Sequence, residues 1–195
     1  DHLSRAASAQ PGAARRDGGY LASMPIYALG DLEPTIDPTA FVHPDAVLIG
    51  DVRIGPEASI WPGAVLRGDD GHIVIGAQTS IQDNSVLHTT PTSPTVVGER
   101  CLIGHMVHLE GCTIEPGGMV GNMAMVLHRS VVHTGAIVAA NSVVLYDVDV
   151  PSGALAVGSP AVIKEGRANR DMIEIGVEAY LYRARTYPDQ LRRLS

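Results

Sequence analysis

Apolar residues recur at every sixth position through most of this chain. An α-helix repeats about every 3.6 residues and a half-buried strand about every two, so neither explains this spacing. A six-residue period is typical of a hexapeptide solenoid, in which each repeat forms one short side of a parallel β-helix. The period runs in four registers, which start at Ile36, Ile75, Val97 and Ile114 and end at Leu66, Leu87, Leu109 and Val162. The sequence therefore predicts a mainly β fold built as a parallel β-helix.

Composition and spacing divide the chain into three segments. Residues 1–24 are rich in Ala, Arg, Ser and Gly and lack the six-residue period, so we expect a disordered N-terminal extension. Residues 25–163 carry the hexapeptides and are predicted to form the β-helix. Residues 164–195 change to a helical period and are predicted to form a C-terminal α-helix.

The C-terminal helix is predicted to be amphipathic. Its apolar stripe consists of Ile173, Val177, Tyr180 and Ala184. A single helix cannot bury such a stripe alone, so we expect it to pack on the solenoid or on a neighbouring subunit. Pro188 is predicted to end the helix.

Charge and cysteine usage exclude several classes of protein. The formal net charge is −7 and no basic stripe is present, which argues against a nucleic-acid partner. No apolar run reaches the ~18–20 residues of a membrane span, so we expect no membrane partner. Cys101 and Cys112 fall inside the repeats without a disulfide pattern, which favours reduced cysteines in a cytoplasmic protein.

The register predicts a column of polar residues. If three hexapeptides make one turn, residues at the same repeat position stack about one β-spacing (~4.8 Å) apart on successive turns. Arg67, His88 and Glu110 each follow an inward leucine and should form such a column. His105 stands at a different repeat position, on another edge. His88 and Glu110 can therefore approach one ion from the same chain, whereas His105 would join them from the next chain of a trimer.

Interruptions of the period lie beside these polar residues. The steps from Leu66 to Ile75 and from Leu87 to Val97 contain extra residues, and the step from Leu109 is one residue short. A purely structural solenoid has little reason to break its register three times beside polar side chains. Loops held on a rigid scaffold are common places for functional sites.

Four motifs resemble the gamma-class carbonic anhydrase family: residues 59–69, 81–88, 103–105 and 111–114. The resemblance covers roughly residues 26–190. It implies a left-handed parallel β-helix with a C-terminal helix, assembled as a homotrimer with a metal at each subunit interface. It also implies CO₂ and bicarbonate as the small-molecule substrates.

The resemblance assigns metal ligands residue by residue. His88 matches the family's first metal-binding histidine, and His105 matches the histidine that an adjacent subunit supplies. The family's third histidine lies five residues after the second, where this chain has Glu110. His128, near the next turn above, is an alternative substitute for the lost histidine.

Other site residues are also implied by the resemblance. Gln82 matches the residue that orients the metal-bound water, and Asp83 its partner in the pocket floor. Asp70 falls where some members carry a glutamate linked to proton transfer. Arg67 and Asp69 match residues that pair across the subunit interface.

Glu110 changes the expected chemistry. Two histidines and one glutamate form a known Zn²⁺ ligand set with a position open for water, and such a set also suits Fe²⁺ or Co²⁺. A carboxylate in place of a neutral imidazole lowers the net charge of the site by one. We expect Glu110 to be both a metal ligand and a catalytic residue. Water bound to the metal should then be less acidic, so we expect weak CO₂ hydration.

Three classes of function are compatible with the sequence. The leading class is a zinc-dependent lyase that interconverts CO₂ and bicarbonate through metal-bound hydroxide. The second is a hexapeptide acyltransferase that uses a coenzyme A thioester and a histidine base, because fold alone does not separate the two. The third is a non-catalytic trimeric scaffold or small-molecule binder, which an Arg67–Glu110 salt bridge would favour.

Overall fold

The computed structural model describes residues 24–194. The disordered extension predicted from the sequence therefore lies, apart from Met24, outside the described residues. The described residues form short strands and one helix. In chain order the elements are β1 Ile26–Tyr27, β2 Thr35–Ile36, β3 Phe41–Val42, β4 Val47–Ile54, β5 Ser59–Ile60, β6 Val65–Ile75, β7 Ser80–Ile81, β8 Val86–His88, β9 Thr95–Val97, β10 Leu102–Ile103, β11 His108–Glu110, β12 Thr113–Ile114, β13 Met119–Val120, β14 Met125–Val126, β15 Val131–Val132, β16 Ile137–Val138, β17 Val143–Val144, β18 Asp149–Val150, β19 Leu155–Val157, β20 Val162–Lys164 and α1 Arg170–Gln190.

The strands wind into a left-handed parallel β-helix of about seven turns, which confirms the fold class. The histidine face consists of β8, β11, β14 and β17, and the third face of β9, β12, β15 and β18. The helix face consists of β3, β5, β7, β10, β13, β16 and β19. Strands β4 and β6 are long enough to bend from the histidine face onto the third face.

The six-residue period places one apolar side chain per strand in the interior of the β-helix. On the histidine face Leu66, Leu87 and Leu109 are in register on successive turns, and each is fully buried. The other two faces contribute equivalent columns of Ile and Val. Each such side chain contributes about 1.5–3 kcal/mol by leaving water, so the repeating core carries most of the stability.

The period ends before the position predicted from the sequence. Val162 was expected to point inward, but it is 64% exposed. The reason is a reversal of the chain: β20 pairs antiparallel with β19, whereas the repeats pair in parallel. The last inward residue of the fourth register is therefore Ala156, which is fully buried.

Helix α1 packs on the helix face of its own solenoid. Its buried residues Ile173, Val177 and Leu181 contact Leu102 and Ile137 on that face. Ile173 and Val177 belong to the stripe predicted from the sequence, whereas the third buried residue is Leu181, with Tyr180 partly buried beside it. No helix among residues 24–194 is both long and apolar enough to cross a bilayer.

The prediction that Pro188 ends the helix is wrong. Pro188 lies inside α1, which continues to Gln190, and the amide of Leu191 donates to the carbonyl of Tyr187. Proline lacks an amide hydrogen and crowds the carbonyl four residues earlier, but only two helical residues follow Pro188, so little of the helix is affected. The Tyr187 ring also packs 5.1 Å from the Trp61 ring, and this contact holds the last turn against the solenoid.

Candidate metal centre

The polar column predicted from the register is present. Arg67 pairs with His88, and His88 pairs with Glu110, as Cα partners on neighbouring strands of the histidine face. The three residues stand on successive turns, one position after an inward leucine. The side chains of His88 and Glu110 are 17% and 25% exposed, and that of Arg67 is 44% exposed.

All three interruptions of the period fall at one corner, between the histidine face and the third face. We call it the site corner. Gly68 allows β6 to turn there, because an added Cβ would lie 2.5 Å from the backbone oxygen of Asp51. Gly111 has a φ of +60°, a conformation that suits glycine, and it follows Glu110 directly. The local sequence thus shapes the backbone so that polar side chains gather at the site corner.

His88 lies between two carboxylates. Its Nε2 is 3.0 Å from Asp69 Oδ1, and its Nδ1 is 3.1 Å from Glu110 Oε1. Arg67 donates a hydrogen bond to the other oxygen of Asp69 within the same chain. One nitrogen of an imidazole can bind a metal while the other donates its N–H to a carboxylate, an arrangement common around metal ions.

Both carboxylates are held in the ionised form. Burial opposes ionisation of Asp69, but hydrogen bonds from Arg67 and His88 outweigh it and lower its pKa. Burial likewise opposes ionisation of Glu110, yet hydrogen bonds from His88 and His108 and the charge of His128 lower its pKa. The site corner therefore contains two ionised carboxylates beside His88.

Glu110 has two further histidine neighbours. His108 Nε2 is 3.2 Å and His128 Nε2 is 3.3 Å from Glu110 Oε2. Sequence reasoning missed the contact of His108 with Glu110. The available signal was the position of His108 two residues before Glu110, which places both side chains on the same side of one strand.

Asp70 completes the donor set at the site corner. Asp69, Asp70 and His88 each offer one potential ligand atom, and these atoms lie within 4.8 Å of one another. Imidazole nitrogens and carboxylate oxygens are suitable ligands for Zn²⁺ and for other divalent first-row metals. The residues present therefore fit a divalent cation.

His105 lies on the other edge of the histidine face, where the chain passes from β10 to β11. Its Nδ1 is 2.9 Å from Asp83 Oδ2, and its Nε2 is 3.5 Å from the hydroxyl oxygen of Tyr180 on α1. Gln82 is buried beside Asp83. The structure thus gathers Gln82, Asp83 and His105 at this edge, apart from the polar column. Sequence reasoning missed the contact of Tyr180 with His105.

The surface between the two edges is partly apolar. Val86 and Met125 project outward from the histidine face and are 39% and 44% exposed. Met106 and Met123, at the His105 edge, are about half exposed. Exposed apolar side chains that adjoin one another are typical of protein–protein contact surfaces.

Comparison with known proteins first assigns this chain to the class of hexapeptide-repeat proteins. Residues 33–68 match the family model described as bacterial transferase hexapeptide (six repeats). A hexapeptide transferase family protein from Anaplasma phagocytophilum has a crystal structure with 36% sequence identity and a TM-score of 0.81. The match covers 85% of this chain and 99% of that protein.

Within the hexapeptide-repeat proteins, the chain is similar in sequence to two curated relatives. The chain is 42% identical to mitochondrial gamma carbonic anhydrase 2 of Arabidopsis thaliana over 113 residues, which are 55% of this chain and 41% of the relative. It is 43% identical to the carnitine operon protein CaiE of Escherichia coli over 109 residues, 56% of each chain. The chain belongs to the hexapeptide transferase family of hexapeptide-repeat proteins, and over about half its length it is similar to gamma carbonic anhydrases. The aligned region spans about half the length of these curated relatives.

Proposed function

We propose that the chain is a gamma-carbonic-anhydrase-like metalloprotein that interconverts CO₂ and bicarbonate weakly, at a centre shared between the subunits of a homotrimer. The observation that carries this proposal is the contact between His88 Nδ1 and Glu110 Oε1, 3.1 Å, beside the Arg67–Asp69 pair. We propose Zn²⁺ as the metal, with Fe²⁺ or Co²⁺ as alternatives for a set of histidines and a carboxylate.

The ligands in this proposal are His88 and Glu110 of one chain and His105 of a neighbouring chain. With Nδ1 of His88 directed to the ion, its Nε2–H donates to Asp69, which Arg67 in turn holds. Such an outer carboxylate fixes the orientation of the imidazole and increases its basicity. Asp83, 2.9 Å from His105 Nδ1, performs the same task for His105.

A bound Zn²⁺ makes water acidic enough to supply a nucleophile near neutral pH. Gln82 and Asp83 then line the side of the pocket that receives CO₂, where the Gln82 amide orients the reacting oxygen. Asp70, which is exposed at the site corner, carries protons between the centre and solvent. These roles require the His105 edge of one chain to face the site corner of the next.

A cyclic trimer meets this requirement. Each chain would present its His105 edge to the site corner of the next chain, a head-to-tail contact that closes after three subunits. The partly apolar histidine face, with Val86 and Met125, lies between these two edges and would be covered. Association would then remove apolar surface from water and complete the ligand set together.

Weak activity follows from the charge of Glu110. A carboxylate ligand donates more charge to a cation than a neutral imidazole, so less hydroxide is present at pH 7. The test compares CO₂ hydration by the wild type and by Glu110→His at pH 7 and 8.5. We expect Glu110→His to be faster, with the larger gain at pH 7. Equal rates of the two proteins at both pH values would contradict the inhibitory role of Glu110.

An acyltransferase is the second candidate. It is supported by the similarity, at 36% identity, to a protein named as a hexapeptide transferase. Coenzyme A binding, measured by calorimetry on protein with and without Zn²⁺, separates the two candidates. Tight coenzyme A binding without a metal requirement would favour the acyltransferase.

A non-catalytic scaffold or small-molecule binder is the third candidate. An Arg67–Glu110 ion pair would favour it, but among the described residues Arg67 pairs with Asp69 and Glu110 with histidines. We propose a cytoplasmic location, because Cys101 and Cys112 are both free and buried.

A further inference from the structure

The two oxygens of Glu110 face different histidines. Oε1 lies 3.1 Å from His88 Nδ1, at the centre proposed for the subunit interface. Oε2 lies 3.2 Å from His108 Nε2 and 3.3 Å from His128 Nε2. These two histidines come from β11 and from the turn after β14, so they belong to the same chain as Glu110. One carboxylate therefore connects two groups of nitrogen donors.

The distances around Oε2 match those between ligands of one metal ion. In a tetrahedral site with bonds of about 2.0–2.1 Å, neighbouring ligand atoms lie about 3.3 Å apart. Both nitrogen–oxygen distances at Oε2 agree with this separation, and without an ion His108 forms a hydrogen bond with Oε2. The nitrogens of His108 and His128 lie more than 4.8 Å apart, so a common ion requires His108, whose side chain is 32% exposed, to rotate towards His128.

His128 provides an independent observation. Its Nε2 is buried and, among the described residues, has no hydrogen-bond partner, because its approach to Glu110 lacks hydrogen-bond geometry. Buried polar atoms are rarely left unsatisfied in folded proteins. The ring is nevertheless held in place, with its centroid 5.1 Å from that of Tyr146. At Gly111 an added Cβ would lie 3.2 Å from His128 Cδ2, so glycine leaves room for the imidazole.

We propose that His108, Glu110 Oε2 and His128 form a second divalent-cation site within a single chain. Two imidazoles, one carboxylate and solvent constitute a ligand set for Zn²⁺ or a similar borderline metal. The proposal extends the proposed function through Glu110, whose carboxylate would bridge this ion and the ion at the subunit interface. Carboxylate-bridged pairs of ions about 3.5–4 Å apart occur in many metalloenzymes.

A second cation would compensate for the sequence change at position 110. Glu110 adds a negative charge to the interface centre, which makes water bound there less acidic. An ion on Oε2 withdraws electron density from the same carboxylate. The donation of charge from Oε1 to the interface ion then falls. His108 and His128 thus partly restore the electrostatics that a histidine at position 110 would have provided.

The test is the Zn²⁺ stoichiometry of the metal-free, full-length protein, measured by equilibrium dialysis with elemental analysis. We expect about two ions per chain in the wild type and about one in the double variant His108→Ala/His128→Ala. His133→Ala is the matched control and should keep about two. His133 Nδ1 also lies 3.1 Å from a glutamate, Glu115, but at a different corner. The single variant His108→Ala, at a partly exposed position, should weaken one site by at least about tenfold.

Variant His105→Ala distinguishes the two proposals. It should lose the interface ion and keep about one ion per chain. Adding His108→Ala and His128→Ala to His105→Ala should remove this remaining ion. If the double variant binds as many ions as the wild type, the single-chain site is wrong, and the interface centre stands if His105→Ala loses its ion. If the wild type binds one ion that His105→Ala retains and the double variant loses, the single-chain site stands and the interface ion fails. A wild type without bound Zn²⁺ overturns both.

Discussion

The hydroxyl oxygen of Tyr180 lies 3.5 Å from His105 Nε2. This contact joins the C-terminal helix to the histidine proposed to serve a neighbouring subunit. The Tyr180 ring also packs 5.3 Å from the Trp61 ring, centroid to centroid. Burial raises the pKa of Tyr180, and the negative charge of the nearby Asp83 raises it further, so the phenol keeps its proton at neutral pH.

The first prediction separates the ring of Tyr180 from its hydroxyl. Tyr180→Phe should lower the free energy of unfolding by no more than about 1 kcal/mol, because only one weak polar contact is lost. Tyr180→Ala should cost about 2–3 kcal/mol, because the aromatic packing against Trp61 is also lost. Urea unfolding of both variants provides the measurement. Equal losses would show that the ring does not anchor the helix.

The second prediction concerns His88. His88→Ala should weaken Zn²⁺ binding at the interface centre by more than the ~10–100-fold typical of an outer-sphere change, because a direct ligand is removed. Competition with a chromophoric chelator measures this affinity. His72→Ala, on the same strand as Asp69, is the control and should bind as the wild type does. Unchanged affinity of His88→Ala would exclude His88 as a ligand.

The third prediction addresses the trimer. Met125→Glu places a carboxylate in the middle of the histidine face, where a subunit contact would bury it without a partner. We expect this variant to sediment as a monomer in analytical ultracentrifugation, while the wild type sediments as a trimer. Ile175→Glu is the control, since Ile175 is 72% exposed on the outer side of α1. Dissociation of Ile175→Glu but not of Met125→Glu would place the contact on the helix instead.

The fourth prediction uses the buried thiols. Burial raises the pKa of Cys112 from 9.0 to about 12, so the folded protein holds this proton at pH values where the unfolded chain releases it. The stabilising contribution is complete below pH 9.0 and is lost as the pH rises towards 12. Cys112→Ala should therefore reduce the slope of unfolding free energy against pH by about 1.4 kcal/mol per unit near pH 10–11. Chemical denaturation at several alkaline pH values measures both slopes. An identical slope in the variant would show that the thiol ionises normally.

Register arithmetic explains why much of the fold was predictable. Parallel coils stack residues of the same repeat position, so the leucines at positions 66, 87 and 109 predicted both the core column and the polar column beside it. The separate edge of His105 followed from the same count. Each of these features depends only on spacing along the chain, which the sequence displays directly.

The features that escaped prediction depend on side-chain direction or on chain reversal. The approach of His108 and His128 to Glu110 requires particular rotamers and the room left by Gly111. The contact between Tyr180 and His105 joins residues 75 positions apart and exists only because the helix docks beside the His105 edge. The outward position of Val162 results from the antiparallel β20, for which the hexapeptide period gives no signal.

The polar column also has a consequence for how such chains diverge. Its members occupy three consecutive coils, and in a solenoid each coil touches only the coils directly above and below it. Coils towards either end therefore do not contact the proposed metal centre. Terminal coils of the β-helix can therefore be inserted, deleted or substituted during evolution while the three central coils keep their structure.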